Sequence, residues 1–101
     1  MVMQRILRRK SIHKLTLLEK IIEMFPDKNY FLIGDNTQHD ISIYLQIATK
    51  YPKNIRYIII REVFKSQRDR LVLQSAQKML ELYKIGVHYD SNFPDNLSFV
   101  M

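Results

Sequence analysis

Two aspartates five positions apart close the stretch Tyr30-Phe31-Leu32-Ile33-Gly34-Asp35-Asn36-Thr37-Gln38-His39-Asp40. The apolar run ends at a glycine, so the first carboxylate falls at a strand tip and the second in the opening turn of the next helix. Two hard oxygen donors held by rigid elements suit an octahedral magnesium ion. The same residues have a plainer use. Aspartate after a strand forms turns and caps helices, and aspartate in a first helical turn is favoured by the helix dipole without any metal.

The elements that must position this pair follow from periodicity. Leu15, Leu18, Ile21, Ile22 and Phe25 recur at three- and four-residue spacing, which predicts an amphipathic helix from His13 to Phe25, ended by Pro26-Asp27. Tyr30 to Ile33 is apolar on both faces and too short for a helix, so it reads as a buried parallel strand. Ile41, Tyr44, Leu45, Ile47 and Ala48 mark a second helix, stopped near Lys50 where Tyr51 precedes Pro52. Ile55-Arg56-Tyr57-Ile58-Ile59-Ile60 reads as another buried strand. A long helix then runs from Ser66 to Tyr83 with Leu71, Leu73, Ala76, Leu80 and Leu82 among its apolar positions, and Gly86 is placed to end it. Val87 to Tyr89 is a short third strand, and Ser91 to Met101 is an irregular tail.

Helix, strand, helix, strand, helix, strand is the order of an α/β domain: a parallel sheet of two to three strands with covering helices. No repeat, linker or low-complexity segment divides residues 1–101, which read as a single domain. Ligands of such sheets bind beyond the carboxyl ends of the strands, where Asp35, Arg61 and Glu62 fall.

Composition narrows the partner. The 101 residues carry a formal net charge of +6, which asks for an anionic partner: nucleic acid, an anionic lipid surface or a phosphorylated substrate. Arg5, Arg8, Arg9, Lys10 and Lys14 crowd the start, and Arg56, Arg61, Lys65, Arg68 and Arg70 bracket the middle, although lysine and arginine also simply coat helices. The chain has no cysteine, which excludes disulfides and thiolate metal sites and suits a reducing cytoplasm. No apolar run approaches the roughly 20 residues of a transmembrane segment, and the first residues lack the apolar centre of a secretory signal. The expectation is a soluble, cytoplasmic protein. His13 and His39 flank the aspartates at no recognised zinc spacing, and His88 beside Tyr89 reads as structural.

His13-Lys14, a helix closing in Phe25-Pro26, Phe31-Leu32-Ile33-Gly34-Asp35, Gln38, Asp40, Tyr44, Tyr51-Pro52 and Ile60-Arg61 together resemble the carboxyl-terminal half of the phosphatidate phosphatase catalytic domain of actin-patch-associated proteins. That family belongs to the haloacid-dehalogenase-like superfamily, and the resemblance spans about residues 10–89. It implies a partial Rossmann-like three-layer sandwich and a magnesium-dependent phosphohydrolase. Lys14 matches the catalytic lysine that neutralises phosphoryl oxygens, Asp35 a metal-binding carboxylate, and Asp40 the second acidic position, acting on the same ion directly or through water. Arg61 is a candidate for substrate contact or for bracing the rim.

The chain departs from the family pattern at Asn36 and Thr37, at Ile41-Ser42 and at Glu62, which bears on loop shape and substrate fit. The superfamily's nucleophile, an aspartate in an Asp-x-Asp motif, has no place ahead of Lys14, so the isolated chain is expected to be inactive. In the superfamily sheet the strand Tyr30 to Ile33 lies beside the strand carrying that motif. Its edge and faces are therefore expected to be open here, so that the chain recruits a second copy, binds a complementing chain or rearranges. Two other classes of function stand beside the phosphohydrolase: a non-catalytic remnant acting as an oligomeric interaction protein, and a basic nucleic-acid-binding module. No nucleic-acid fingerprint supports the last.

Overall fold

The sheet has three parallel strands in sequential order, β1 (Tyr30–Asp35), β2 (Ile55–Arg61) and β3 (Gly86–Asp90), preceded and joined by α1 (Val2–Met24), α2 (Asp40–Lys50) and α3 (Gln67–Leu82). The computed structural model describes the backbone of residues 2–37 and 40–92 and the side chains of 13–37 and 40–92. Gln38, His39, the side chains of Arg5, Arg8, Arg9 and Lys10, and the tail from residue 93 lie outside the described residues.

Alternating sides of each strand sort the side chains. Leu32, Ile58 and Val87 are register partners on one face. There Leu32, Ile58 and Ile60 join Ile22 of α1, Ile41, Ile43, Tyr44 and Ile47 of α2, and Leu73 and Leu80 of α3 in one core, with Leu15, Leu18 and Val87 packed against it. β-α-β crossovers are right-handed, and two that step in the same direction lay their helices on the same face. The opposite face carries Phe31 and Ile33 of β1, 41% and 49% exposed, beside Tyr57 and Ile59 of β2. Ile59 is buried but belongs to none of the helix-side core. Among the described residues no helix covers this face, so two of the three layers of the sandwich are present.

The local signals explain the element ends, with four corrections. The first helix begins at Val2 and not at His13. β1 is parallel as read, but it is an edge strand buried on one side only. Leu71 and Leu82 are exposed, at 53% and 83%, so α3 buries a narrower stripe than its leucines suggest. Gly86 does not end α3. The helix stops at Leu82, with Tyr83 as its cap and Lys84 taking the left-handed conformation at φ 61°. Gly86 instead opens β3, where a Cβ would overlap the Tyr57 ring. Ser66 caps α3 from an extended conformation and accepts a hydrogen bond from the Asp69 N–H at 3.2 Å.

An ion pair between an enclosed carboxylate and an exposed arginine braces the turn from β2 into α3. Arg70 donates from Nε at 2.9 Å and from Nη2 at 2.6 Å to the two oxygens of Glu62, whose side chain is 1% exposed. Paired donors of this kind are the strong form of the interaction. The Tyr89 ring lies against the Arg70 guanidinium. The Arg70 bonds first, then the Tyr89 hydroxyl and the Ser66 backbone, hold the Glu62 carboxyl down at about 2. A carboxyl depressed in the folded state stabilises the fold above its unfolded value, near 4.5, and that stability is lost as pH falls toward 2. Acid titration of unfolding is therefore expected to show a steep loss between about pH 4.5 and 2 that is shallower in Glu62→Gln; equal slopes in the two proteins would contradict the assignment.

Candidate functional site

Lys14, Asp35 and Asp40 meet at the carboxyl end of the sheet although they come from three elements. Lys14 lies on α1, Asp35 ends β1 and Asp40 opens α2. The Asp40 carboxylate is nearly enclosed, with 7% of its side chain exposed, and both of its oxygens are engaged. One receives the Lys14 ammonium at 2.6 Å and the other accepts the Asp35 backbone N–H at 3.3 Å. Asp40 thus holds the lysine and the tip of β1 in one place. It also occupies the first turn of its helix, where the dipole favours a carboxylate.

Gly34 makes this approach possible. A Cβ at that position would overlap the Asp40 carboxylate and crowd the Tyr44 hydroxyl. That hydroxyl donates to the Ile33 carbonyl at 2.8 Å, and the Tyr44 ring lies 5.2 Å below the Lys14 ammonium. Burial presses the lysine pKa down, but the Asp40 carboxylate and Tyr44 outweigh it, so the pKa lies above its ordinary value. Tyr44 is raised by burial first and by Asp40 second.

Asp35 has the opposite orientation, toward the open rim. Its Oδ1 accepts from both the hydroxyl and the backbone N–H of Thr37, and these bonds, assisted by Arg61 and Lys14, lower its pKa. Arg61 is the register partner of Asp35. The four sequence-predicted site residues are therefore brought to one rim. His13 is exposed on α1 and His88 lies on β3, its Nε2 3.2 Å from the Asn92 carbonyl; neither joins the aspartates in a metal-ligand set, and His39 lies outside the described residues.

Among the described residues no group of three or more His, Cys, Asp or Glu side chains converges to hold a metal. Two carboxylates remain, and magnesium accepts so few because it keeps several waters and shares phosphate oxygens. The chemistry of the rim is thus a fixed ammonium that can receive an anion beside an ionised carboxylate that can receive a cation.

Residue-level reading of the sequence missed Asn36. It is 8% exposed, and its side chain brackets the loop after β2. Its Oδ1 accepts the Val63 N–H at 2.8 Å and its Nδ2 donates to the Phe64 carbonyl at 2.7 Å. The only available signal was an amide in place of a small residue. A buried amide needs partners, and here they are main-chain groups 27 and 28 positions away. A groove of about 990 Å³ runs from Asn36, Thr37 and Asp40 between Leu15 of α1 and Phe64, Arg68 and Val72 on the α3 side.

Residues 1–62 match the family described as "Phosphatidate phosphatase APP1, catalytic domain". The chain belongs to this family. It is 31% identical over 74 residues to the phosphatidate phosphatase APP1 of Saccharomyces cerevisiae, covering 68% of this chain and 13% of that protein. It is 36% identical over 62 residues to an uncharacterised protein of Schizosaccharomyces pombe, covering 61% of this chain and 10% of the other. The chain therefore spans 13% or less of the length of these curated relatives. No solved structure matches it. The family match takes in Lys14, Asp35, Asp40 and Arg61 and ends at Glu62, so α3 and β3 lie beyond it.

The site geometry makes Asp40 the support of the lysine. Asp40→Asn leaves Lys14 as buried but takes away the charge that raises its pKa, so the Lys14 pKa is expected to fall, as read from its side-chain NMR signals. A stability loss of about 1–2 kcal/mol should accompany it, because the lysine is more than a third exposed and the pair is partly screened. An unchanged Lys14 titration would show that the contact does not persist in solution.

Proposed function

We propose that this chain carries the lysine and acidic-residue portion of a magnesium-dependent, phosphatidate phosphatase-like phosphohydrolase of the haloacid-dehalogenase-like kind. The observation that carries the reading is the 2.6 Å contact of Lys14 with Asp40, beside an Asp35 carboxylate at the strand tip, in a chain of this family. In this reading Lys14 binds a phosphoryl oxygen, where a fixed cation stabilises charge developing in transfer. Asp35 would help hold magnesium, and Asp40, whose two oxygens are already bonded, would orient Lys14 and support the same ion directly or through water. Magnesium, when bound, supplies charge neutralisation to the phosphoryl group, and Arg61 contacts substrate or braces the rim.

The 101 residues contain no Asp-x-Asp sequence, so the attacking carboxylate of this reading belongs to another segment and the isolated chain is inactive. The exposed residues Phe31 and Ile33 and the open edge of β1 are where that segment or a second copy packs. A non-catalytic interaction protein using the same face is the second reading, favoured by the same exposed residues. The family name points to a phosphorylated lipid as substrate. The order of preference leaves nucleic acid last.

Two measurements test these readings. Magnesium added to the purified chain is expected to move NMR signals around Asp35 and Asp40 saturably and weakly, and Asp35→Asn should abolish the response; no localised response would leave the aspartates as turn and cap residues only. Sedimentation of the chain alone should show reversible association that Phe31→Lys with Ile33→Lys removes. A wild-type chain that sediments as a monomer at all concentrations would exclude the second copy as the occupant of this face.

A further inference from the structure

We propose that the loop between β2 and α3 is a membrane-contact element, which seats the rim bearing Lys14 and Asp35 on an anionic bilayer. The inference deepens the proposed function, since a phosphorylated lipid is met at a bilayer surface. Its support comes from other residues.

Val63 and Phe64 are adjacent on this loop and 50% and 52% exposed. Leu71 and Val72, on the first turns of α3, are 53% and 39% exposed, and Phe64 of the loop lines the same groove as Arg68 and Val72 of the helix. An apolar loop can enter a bilayer interface only if its main-chain polar groups keep partners there. Asn36 supplies them. It accepts the Val63 N–H at 2.8 Å and donates to the Phe64 carbonyl at 2.7 Å from inside the protein, with the Phe64 N–H 3.4 Å from the same oxygen. The loop thus offers apolar side chains outward while a buried amide occupies its backbone.

Charge complementarity selects an anionic surface over a neutral partner. Between positions 62 and 70 the two acids are turned inward: Glu62 is enclosed against Arg70, and Asp69 lies 3.4 Å from the Asn36 amide. Lys65 and Arg68 remain exposed beside the apolar pair. Long cationic side chains reach headgroups while their stems lie along apolar surface. Phe31 and Ile33 on the other sheet face are also apolar and exposed, but they flank the strands, whereas this patch shares the groove that leads to Asp40 and Thr37.

The chain has no tryptophan, so a single one reports depth. Phe64→Trp and Ile33→Trp would each be mixed with vesicles of phosphatidylcholine alone, with added phosphatidate, or with added phosphatidylserine, all with brominated acyl chains. The expected result is binding to both anionic compositions, with a blue shift and bromine quenching at position 64 and neither at position 33. Lys65→Ala and Arg68→Ala should each weaken binding about fivefold. Val63→Trp serves as the probe if Phe64→Trp fails to fold. Absence of vesicle binding, or quenching at 33 without 64, overturns the proposal. Binding to phosphatidate alone without quenching at 64 also overturns it while leaving headgroup capture by the site intact. Quenching at 64 in a protein with no magnesium response at Asp35 would keep the loop and remove the site.

Discussion

The enclosed carboxylate of Asp40 is the contact on which the arrangement of the rim depends. It joins the ammonium of Lys14, on a helix more than twenty positions earlier, to the main chain of the strand tip. A carboxylate nearly removed from water is costly unless its oxygens are bonded, so the position of α1 over α2 and the conformation at Asp35 are fixed by the same need. Gly34 is the geometric condition, because any side chain there would occupy the space the carboxylate requires. Tyr44 completes the assembly, with its hydroxyl on the Ile33 carbonyl and its ring under the lysine. Further cross-links from α1 lie at the far end, where Lys50 of α2 meets Glu19 and Tyr51, just past α2, meets Glu23.

Topology supplies the second constraint. Strands in sequential order with right-handed crossovers place α2 and α3 on one side, and α1 packs on α2, so the layer count follows from the connections and not from composition. The consequence is visible in β2. Ile58 and Ile60 face the helices while Ile59, equally buried, faces the other way. A run of isoleucines with both faces apolar is the pattern of a strand meant for the middle of a sandwich. β1 is likewise apolar on both faces, yet Phe31 and Ile33 lie open. The composition of these strands is thus matched to more neighbours than residues 13–92 provide, in keeping with relatives several times longer than this chain.

Much of this was legible in the residues. The apolar spacing of Leu15, Leu18 and Ile22, the two apolar runs, the proline after Tyr51 and the glycine-aspartate pair were enough to place three helices and three parallel strands and to bring Asp35 and Asp40 to one end. What escaped has physical reasons. The start of α1 at Val2 lies in a stretch crowded with arginines and lysines, where apolar periodicity gives no boundary. Leu71 and Leu82 are apolar by type yet stay largely exposed. Gly86 stands near a helix end, but Lys84 takes the left-handed turn, which non-glycine residues adopt rarely. The bonds of Asn36 and Arg70 join side chains to groups that only folding brings near, so no local pattern announces them.

Consecutive residues at the end of β1 divide the work. Asp35 turns outward, where Thr37 and Arg61 favour its ionised form, while Asn36 turns inward and fastens the Val63–Phe64 loop. The alternation of strand side chains makes this division automatic, since neighbouring residues at a strand end face opposite ways. It also couples the two. The strand that sets the height of Asp35 sets the height of the loop beside it, and both are registered on β2 through the Asn36 N–H to the Arg61 carbonyl. A residue that brackets a loop from a strand tip therefore replaces the flexibility usual in loops with a fixed relation between a charged site and an apolar edge. Under the proposed function that relation suits a lipid substrate, whose charged and apolar ends must be met at once.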